Sequence, residues 1–153
     1  MPLVTEKARS ALATAALFAI AVALELVLPS RDRDEALAES LVGPATRIEI
    51  PPGPPAYRGV SATALFFERR GEQGPIRGVA VVEGETIRDV IVLHANEGTD
   101  RMALRRSGFA ERFRGRPARP PVVVDAVSGA TISSQAVIDA VNERLKAWRE
   151  SKR

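Results

Sequence analysis

Three hydrophobic stretches bounded by turn residues occupy the middle third of the chain, residues 60–68, 76–83 and 86–94, and along the third of them hydrophobic side chains alternate with others. Alternation with a period of two is typical of strands that bury one face. A turn-forming stretch at 71–75 separates the first two, and Gly84 allows a tight hairpin between the second and the third. The pattern therefore predicts an antiparallel meander of three strands.

The C-terminal segment follows a helical period instead. Over about residues 132–150, hydrophobic side chains recur every three or four positions and charged side chains fill the opposite side. The hydrophobic positions are Val137, Val141, Leu145 and Trp148, and the charged ones are Asp139, Glu143, Lys146 and Arg149. Before this helix, a Pro-rich link leads to Val122–Val124, which predicts a further strand. We expect the helix to pack against the sheet.

Shorter elements precede the meander. Residues 32–35 resemble a capping box and predict a short helix over 36–42 that Gly43 closes. Residues 46–50 alternate as a strand does, and the proline-rich residues 51–55 predict a stiff connector. This order of elements, with no internal repeat, predicts an α+β domain in which a small antiparallel sheet carries flanking helices.

The N-terminal segment is hydrophobic without a polar face. Residues 11–28 are apolar or small apart from one threonine and Glu25, a length close to the ~20 residues that span a bilayer. Lys7 and Arg9 precede the segment, but basic residues also follow it, so the charges do not decide its orientation. A cleaved signal peptide and a buried soluble helix are the alternatives. We expect an uncleaved transmembrane helix within residues 1–30.

The chain has 153 residues and no cysteine. Disulfides, zinc-thiolate sites, iron-sulfur clusters and thioether-linked haem are therefore excluded. Any redox function must use a cofactor of another kind.

Positive charge is concentrated in one segment. The formal net charge is +3, and arginines crowd residues 101–119 with few acids nearby. They are Arg101, Arg105, Arg106, Arg112, Arg114, Arg116 and Arg119. Such a cluster attracts acidic partners, anionic lipids or nucleic acid, although a solvated helix face has the same composition. Aromatic residues are only 5% of the chain, which argues against nucleic acid because few side chains can stack on bases.

A run of small residues lies where the predicted strand at Val122–Val124 meets the C-terminal helix. It reads Asp125-Ala126-Val127-Ser128-Gly129-Ala130-Thr131. Small side chains let a ligand approach the backbone, and the start of a helix presents unpaired N–H groups and the positive end of its dipole. The sequence therefore predicts a phosphate site beside the hydroxyl of Thr131. The alternative is that the hydroxyls of this segment only cap the helix.

The pattern Asp-x-x-Ser-Gly-Ala-Thr resembles the flavinylation signature of the FMN-binding domain family, which includes flavin subunits of the Rnf and sodium-pumping NADH:quinone reductase complexes. Its defined positions are Asp125, Ser128, Gly129, Ala130 and Thr131. The resemblance implies that a flavin transferase, using FAD and a divalent metal, joins FMN to Thr131 through a phosphoester. A threonine hydroxyl is a weak nucleophile, so its activation must come from outside. Asp125 binds the metal of the transferase or orients the hydroxyl, and the sequence leaves both roles open.

The loop after the third predicted strand offers further candidate residues. In the family this loop lies near the flavin, which implies that His94, Glu97 and Thr99 hydrogen-bond the isoalloxazine or the phosphate. An exposed polar loop is the alternative. The sequence contains no Gly-x-Ser-x-Gly motif, no ligand set with metal-binding spacing and no glycine-rich dinucleotide loop. We therefore predict neither a catalytic residue nor a metal site.

Together these features predict a single-pass flavoprotein of the cytoplasmic membrane, with its domain facing the periplasm or the cell exterior. We expect residues 1–30 to form the anchor, 31–55 a linker with a short helix, and 56–153 the FMN-binding domain. FMN on Thr131 passes electrons between membrane electron-transport proteins in this interpretation. The chain is then a carrier rather than an enzyme with its own substrate.

Two other functions stay open at this point. A cofactor-free, membrane-tethered binding or assembly module would use the basic Arg101–Arg119 surface and would purify colourless. A flavin-dependent reductase would turn over a small substrate with an artificial electron donor and without a partner protein.

Overall fold

The described part of the chain forms a five-stranded antiparallel sheet with helices on both faces. A computed structural model describes residues 30–71, 73–95, 104 and 106–153. It contains helix α1 (Ser30–Val42), strands β1 (Thr46–Ile48), β2 (Ala56–Arg58), β3 (Ala62–Arg70), β4 (Pro75–Glu83) and β5 (Thr86–His94), a 3₁₀ helix (Ala110–Phe113) and helix α2 (Thr131–Glu150). The strands are hydrogen-bonded in chain order. The predicted α+β domain, a small antiparallel sheet with flanking helices, is confirmed.

Strands β3, β4 and β5 form the predicted meander. Phe66 pairs with Val79 in the middle of β3 and β4, and Glu83 pairs with Thr86 at the hairpin between β4 and β5. Gly84 lies in this hairpin with a φ of +59°, in the left-handed region that tight hairpin turns favour.

The two faces of the sheet bury separate hydrophobic layers. Leu65 and Phe67 of β3 belong to the layer under α2, whereas Phe66 belongs to the layer under α1, together with Leu41. A strand that is covered on both faces can be hydrophobic at consecutive positions. Residues 62–67 are accordingly buried without interruption.

Helix α2 confirms the predicted amphipathic segment. Val137, Val141, Leu145 and Trp148 are buried, whereas Ile132 in the first turn is 56% exposed. The middle and the C-terminal turns therefore fix the helix against the sheet, and Thr131 and Ile132 at its start lie at the surface.

Two of the extended segments differ from the pattern-based prediction. Alternation does not predict β2, which pairs with β1 and β3. The segment Val122–Val124 is not a strand of the sheet. The backbone N–H of Val122 donates to Asn142 Oδ1 (2.7 Å), and the Val122 carbonyl accepts from Asn142 Nδ2 (3.0 Å). A side chain of α2 thus takes the place of a neighbouring strand.

Helix α1 ends at Val42 as predicted, but it begins at Ser30, so the predicted capping box at residues 32–35 is wrong because these residues lie inside the helix. Gly43 follows it with a φ of +74° and donates its N–H to the carbonyl of Glu39 (2.9 Å). The hydrophobic segment 11–28 lies outside the described residues. Among the helices that the structure describes, none has the length and hydrophobicity of a membrane span.

Candidate functional site

The loop before α2 closes into a turn around two small residues of the motif. The N–H of Ala130 donates to the carbonyl of Val127 (3.0 Å), and the enclosed residues Ser128 and Gly129 are exposed. Gly129 has a φ of +84°, and a side-chain carbon added at this position would meet no atom within 4 Å. Glycine is therefore favoured here because the backbone is left-handed and not because space is short, and the space beside it is open to a ligand.

Helix α2 begins at Thr131 without a side-chain cap. Ala130 is the N-cap residue, and no side chain forms a capping hydrogen bond there. Ser134 donates its backbone N–H to the carbonyl of Ala130 (2.9 Å), so the N–H groups of Thr131 and Ile132 precede the helical ladder. Thr131 itself is exposed. Its hydroxyl thus lies at the positive end of the helix dipole, where an anion is stabilised.

The turn is held from inside by the side chain of Ser134. Its hydroxyl accepts the backbone N–H of Val127 (3.0 Å) and donates to the carbonyl of Ala130 (2.7 Å). Ser134 is fully buried, unlike Thr131. The pattern of the motif does not reveal this contact, although a serine on the buried side of a helix N-terminus is a signal that a polar partner lies nearby.

A second contact reaches the start of the motif from the 3₁₀ helix. Arg112 donates from Nη1 to the carbonyl of Asp125 (2.5 Å) and, at longer range, to that of Ala126 (3.4 Å). The Asp125 side chain is exposed, and within the described part of the chain its carboxylate forms no ion pair. An exposed carboxylate six positions before Thr131 is accessible to an external protein or metal, which keeps both roles of Asp125 open. No group of three or more potential metal ligands occurs in the described residues.

The other predicted site residues are not brought to this loop. His94 is half-buried at the end of β5, where it pairs in register with Arg77 of β4. No hydrogen bond between described residues joins His94 to the motif. Glu97 and Thr99 lie outside the described residues. The proposed contacts of these three residues with a cofactor therefore stay predictions.

The basic segment is partly neutralised within the fold. Arg114 forms an ion pair with Asp89, in which Nη2 lies 3.0 and 3.1 Å from the two carboxylate oxygens. Arg112 donates to the carbonyl of Asp125 in the motif loop. Arg106, Arg116 and Arg119 are exposed, and Arg101 and Arg105 lie outside the described residues.

Sequence reasoning missed one buried charge on α2. Arg144 is only 4% exposed and donates to the carbonyls of Ile50 (2.6 Å), Pro52 (2.8 Å) and Pro54 (2.8 Å). Burial lowers the pKa of its guanidinium. Among the described residues, no carboxylate forms an ion pair with it. The available signal was a charged residue on the hydrophobic stripe, three positions after Val141.

Arg144 also borders an open depression of about 400 Å³ between the proline-rich connector, the end of β3 and α2. Glu68, Glu143 and Glu150 line it together with Lys146. Thirteen residues of helix separate Arg144 from Thr131, roughly 20 Å along the axis. The depression is therefore distinct from the motif loop.

Comparison with known protein families identifies one match. The FMN-binding domain matches residues 71–146, which include β4, β5, the 3₁₀ helix, the whole motif and most of α2. The chain matches none of the curated proteins.

Proposed function

Because the chain belongs to the FMN-binding domain family through residues 71–146, we propose that it is an electron carrier holding FMN covalently on the hydroxyl of Thr131. The observation that carries the proposal is the exposed hydroxyl at an uncapped helix N-terminus, within a complete Asp125-to-Thr131 motif. When bound, FMN supplies one- and two-electron redox chemistry to a chain that has no cysteine for other redox groups.

The residues of the loop fit a phosphate group. The space at Gly129 lets an anion approach the backbone, and the N–H groups of Thr131 and Ile132 precede the first helical hydrogen bond. Ser134 cannot compete as an acceptor because it is fully buried. Ser128 is exposed and is therefore the alternative acceptor hydroxyl, which substitutions at the two positions distinguish from Thr131.

The attachment is a phosphoryl transfer from FAD. Thr131 Oγ attacks the phosphorus on the riboflavin side of the diphosphate, a new P–O bond forms, and the P–O bond to the adenylate phosphate breaks. AMP leaves, and no atom is oxidised or reduced. The hydroxyl proton passes to a base of the transferase, because no side-chain base contacts Thr131 among the described residues. Asp125 is exposed, so it is available to the metal of that enzyme or to the hydroxyl.

The proposal extends to location and partners. The hydrophobic residues 11–28 support a single-pass anchor in the cytoplasmic membrane, with the domain in the periplasm or outside the cell. A flavin transferase matures the protein there, and membrane electron-transport proteins exchange electrons with it. A covalent tether keeps a small, exposed cofactor on a carrier that has left the cytoplasm.

Co-expression with a flavin transferase tests the attachment. We expect the intact mass to rise by one FMN less one water, and the denatured protein to fluoresce in a gel. Thr131→Val should remove the adduct, Thr131→Ser should keep it, and Ser128→Ala should leave any adduct on Thr131. A Thr131→Val chain that still carries flavin contradicts the assigned residue, and an unmodified wild-type chain contradicts the covalent cofactor.

A further inference from the structure

We propose that Ser134 is a positioning residue for flavin transfer, which holds the acceptor loop in the shape that presents the Thr131 hydroxyl to FAD. The inference rests on the proposed function, because it concerns the same acceptor. It assigns a role to a buried hydroxyl that lies outside the Asp125-to-Thr131 motif.

The contacts of Ser134 tie together the two ends of the turn. Its hydroxyl accepts a hydrogen bond from the N–H of Val127 (3.0 Å) and donates one to the carbonyl of Ala130 (2.7 Å). Val127 and Ala130 are themselves joined by a backbone hydrogen bond of 3.0 Å. One side chain thus closes the ring of contacts from which Ser128 and Gly129 project.

Packing does little to hold the projecting residues. Ser128 and Gly129 are exposed, and the left-handed Gly129 has no atom within 4 Å of where a side chain would begin. Val127 and Ala130 are buried at 7% and 4% exposure. Hydrogen bonds at these two buried residues therefore define the turn, and Ser134 contributes two of them.

The shape of the turn sets the position of Thr131. Ala130 is the N-cap residue and Thr131 is the next residue, so a shift at Ala130 moves the acceptor oxygen directly. Transfer rates respond steeply to such shifts, because the attacking oxygen must stand in line with the phosphorus. The buried Ser134 hydroxyl takes no part in bond making. Its effect reaches the reaction only through the loop.

The experiment measures transfer to the purified full chain, with FAD, Mg²⁺ and a flavin transferase, as the rate of adduct formation at increasing acceptor concentration. We expect Ser134→Ala to lower kcat by about tenfold or more, with a smaller change in KM, because the loop still docks but presents Thr131 poorly. Ser134→Thr keeps the hydroxyl and should retain most of the wild-type rate. Circular dichroism establishes that each variant is folded at the assay temperature.

A matched control separates positioning from stability. Val141→Ala truncates a fully buried side chain of the same helix, away from the loop, and should lower the melting temperature while leaving kcat within about twofold of wild type. The inference is overturned if folded Ser134→Ala transfers at the wild-type rate, or if Val141→Ala loses as much kcat. Failure of the proposed function looks different, because then the wild-type chain itself forms no adduct or Thr131→Val still does.

Discussion

The two ends of helix α2 are built on different principles. At its N-terminus the chain exposes Thr131 beside a glycine turn, and no side chain caps the helix. Towards its C-terminus the same helix buries Leu145 and Trp148 and uses Arg144 to hold a distant segment of backbone. The contrast shows how a small domain can expose the N-terminus of a helix without loosening it, because the rest of the same helix is packed against the sheet.

This division has a physical basis. Buried apolar side chains from Ala136 to Trp148 supply the free energy that fixes the helix. Thr131 and Ile132 in the first turn are exposed, so their side chains are not constrained by the core. Stability and flavin transfer should therefore be separable by substitutions at the two ends of α2.

The largest expected effect concerns the buried charge. Arg144→Met keeps much of the side-chain volume but leaves the carbonyls of Ile50, Pro52 and Pro54 without their donor, and should lower the free energy of unfolding by about 3 kcal/mol. Urea unfolding followed by circular dichroism measures the change. Flavin attachment per folded molecule should stay close to wild type.

Lys146→Met is the matched control for that substitution. Lys146 borders the same depression but is exposed, so its replacement should change stability by no more than about 0.5 kcal/mol. If both substitutions lowered the free energy of unfolding equally, the hydrogen bonds of Arg144 would contribute nothing specific to stability. A selective loss of flavin in Arg144→Met would show that the two ends of α2 are not separable.

A smaller effect compares two glycines. Gly129→Ala and Gly43→Ala both place a side chain at a positive φ, +84° and +74°, and neither side chain meets a neighbour within 4 Å. Each should therefore destabilise the fold by about 1 kcal/mol through backbone strain alone. Only Gly129→Ala should slow flavin transfer, because only that glycine borders the acceptor. Similar transfer rates for both variants would argue against the open space at Gly129 as part of the site.

The same contrast explains what could be predicted from the sequence. The buried side of α2 has a helical period, the meander consists of hydrophobic stretches divided by turn residues, and the motif is recognised by residue identity alone. Strand β2 has only three residues, which is too short for a hydrophobic pattern to predict it. It is recognised only by its pairing with β1 and β3. Val122–Val124 is hydrophobic enough for a strand, but Asn142 already satisfies the backbone of Val122.

Supporting contacts around the motif were also beyond sequence reasoning. Ser134 bonds Val127 across seven positions, and Arg112 bonds Asp125 across thirteen. Arg144 reaches carbonyls at least ninety positions away. No local spacing rule predicts such pairs, because only the folded chain brings them together. Sequence predicts the acceptor, and the fold shows which contacts hold the loop around it.

The smallest expected effect concerns Arg112, the other support of the acceptor loop. Arg112→Gln removes the donor to the Asp125 carbonyl at 2.5 Å, but the contact is exposed, so the loss of stability should be no more than about 1 kcal/mol. Transfer should slow by about threefold, because the start of the loop becomes more mobile while Ser134 still closes the turn. Arg119→Gln makes the same change of charge at an exposed residue of the same segment, and it should leave the rate unchanged. The contrary outcome is that both variants slow transfer equally at low salt and neither does at high salt. Because ions screen exposed charges, that result would show that the positive charge of the segment matters and not the hydrogen bond of Arg112 to Asp125.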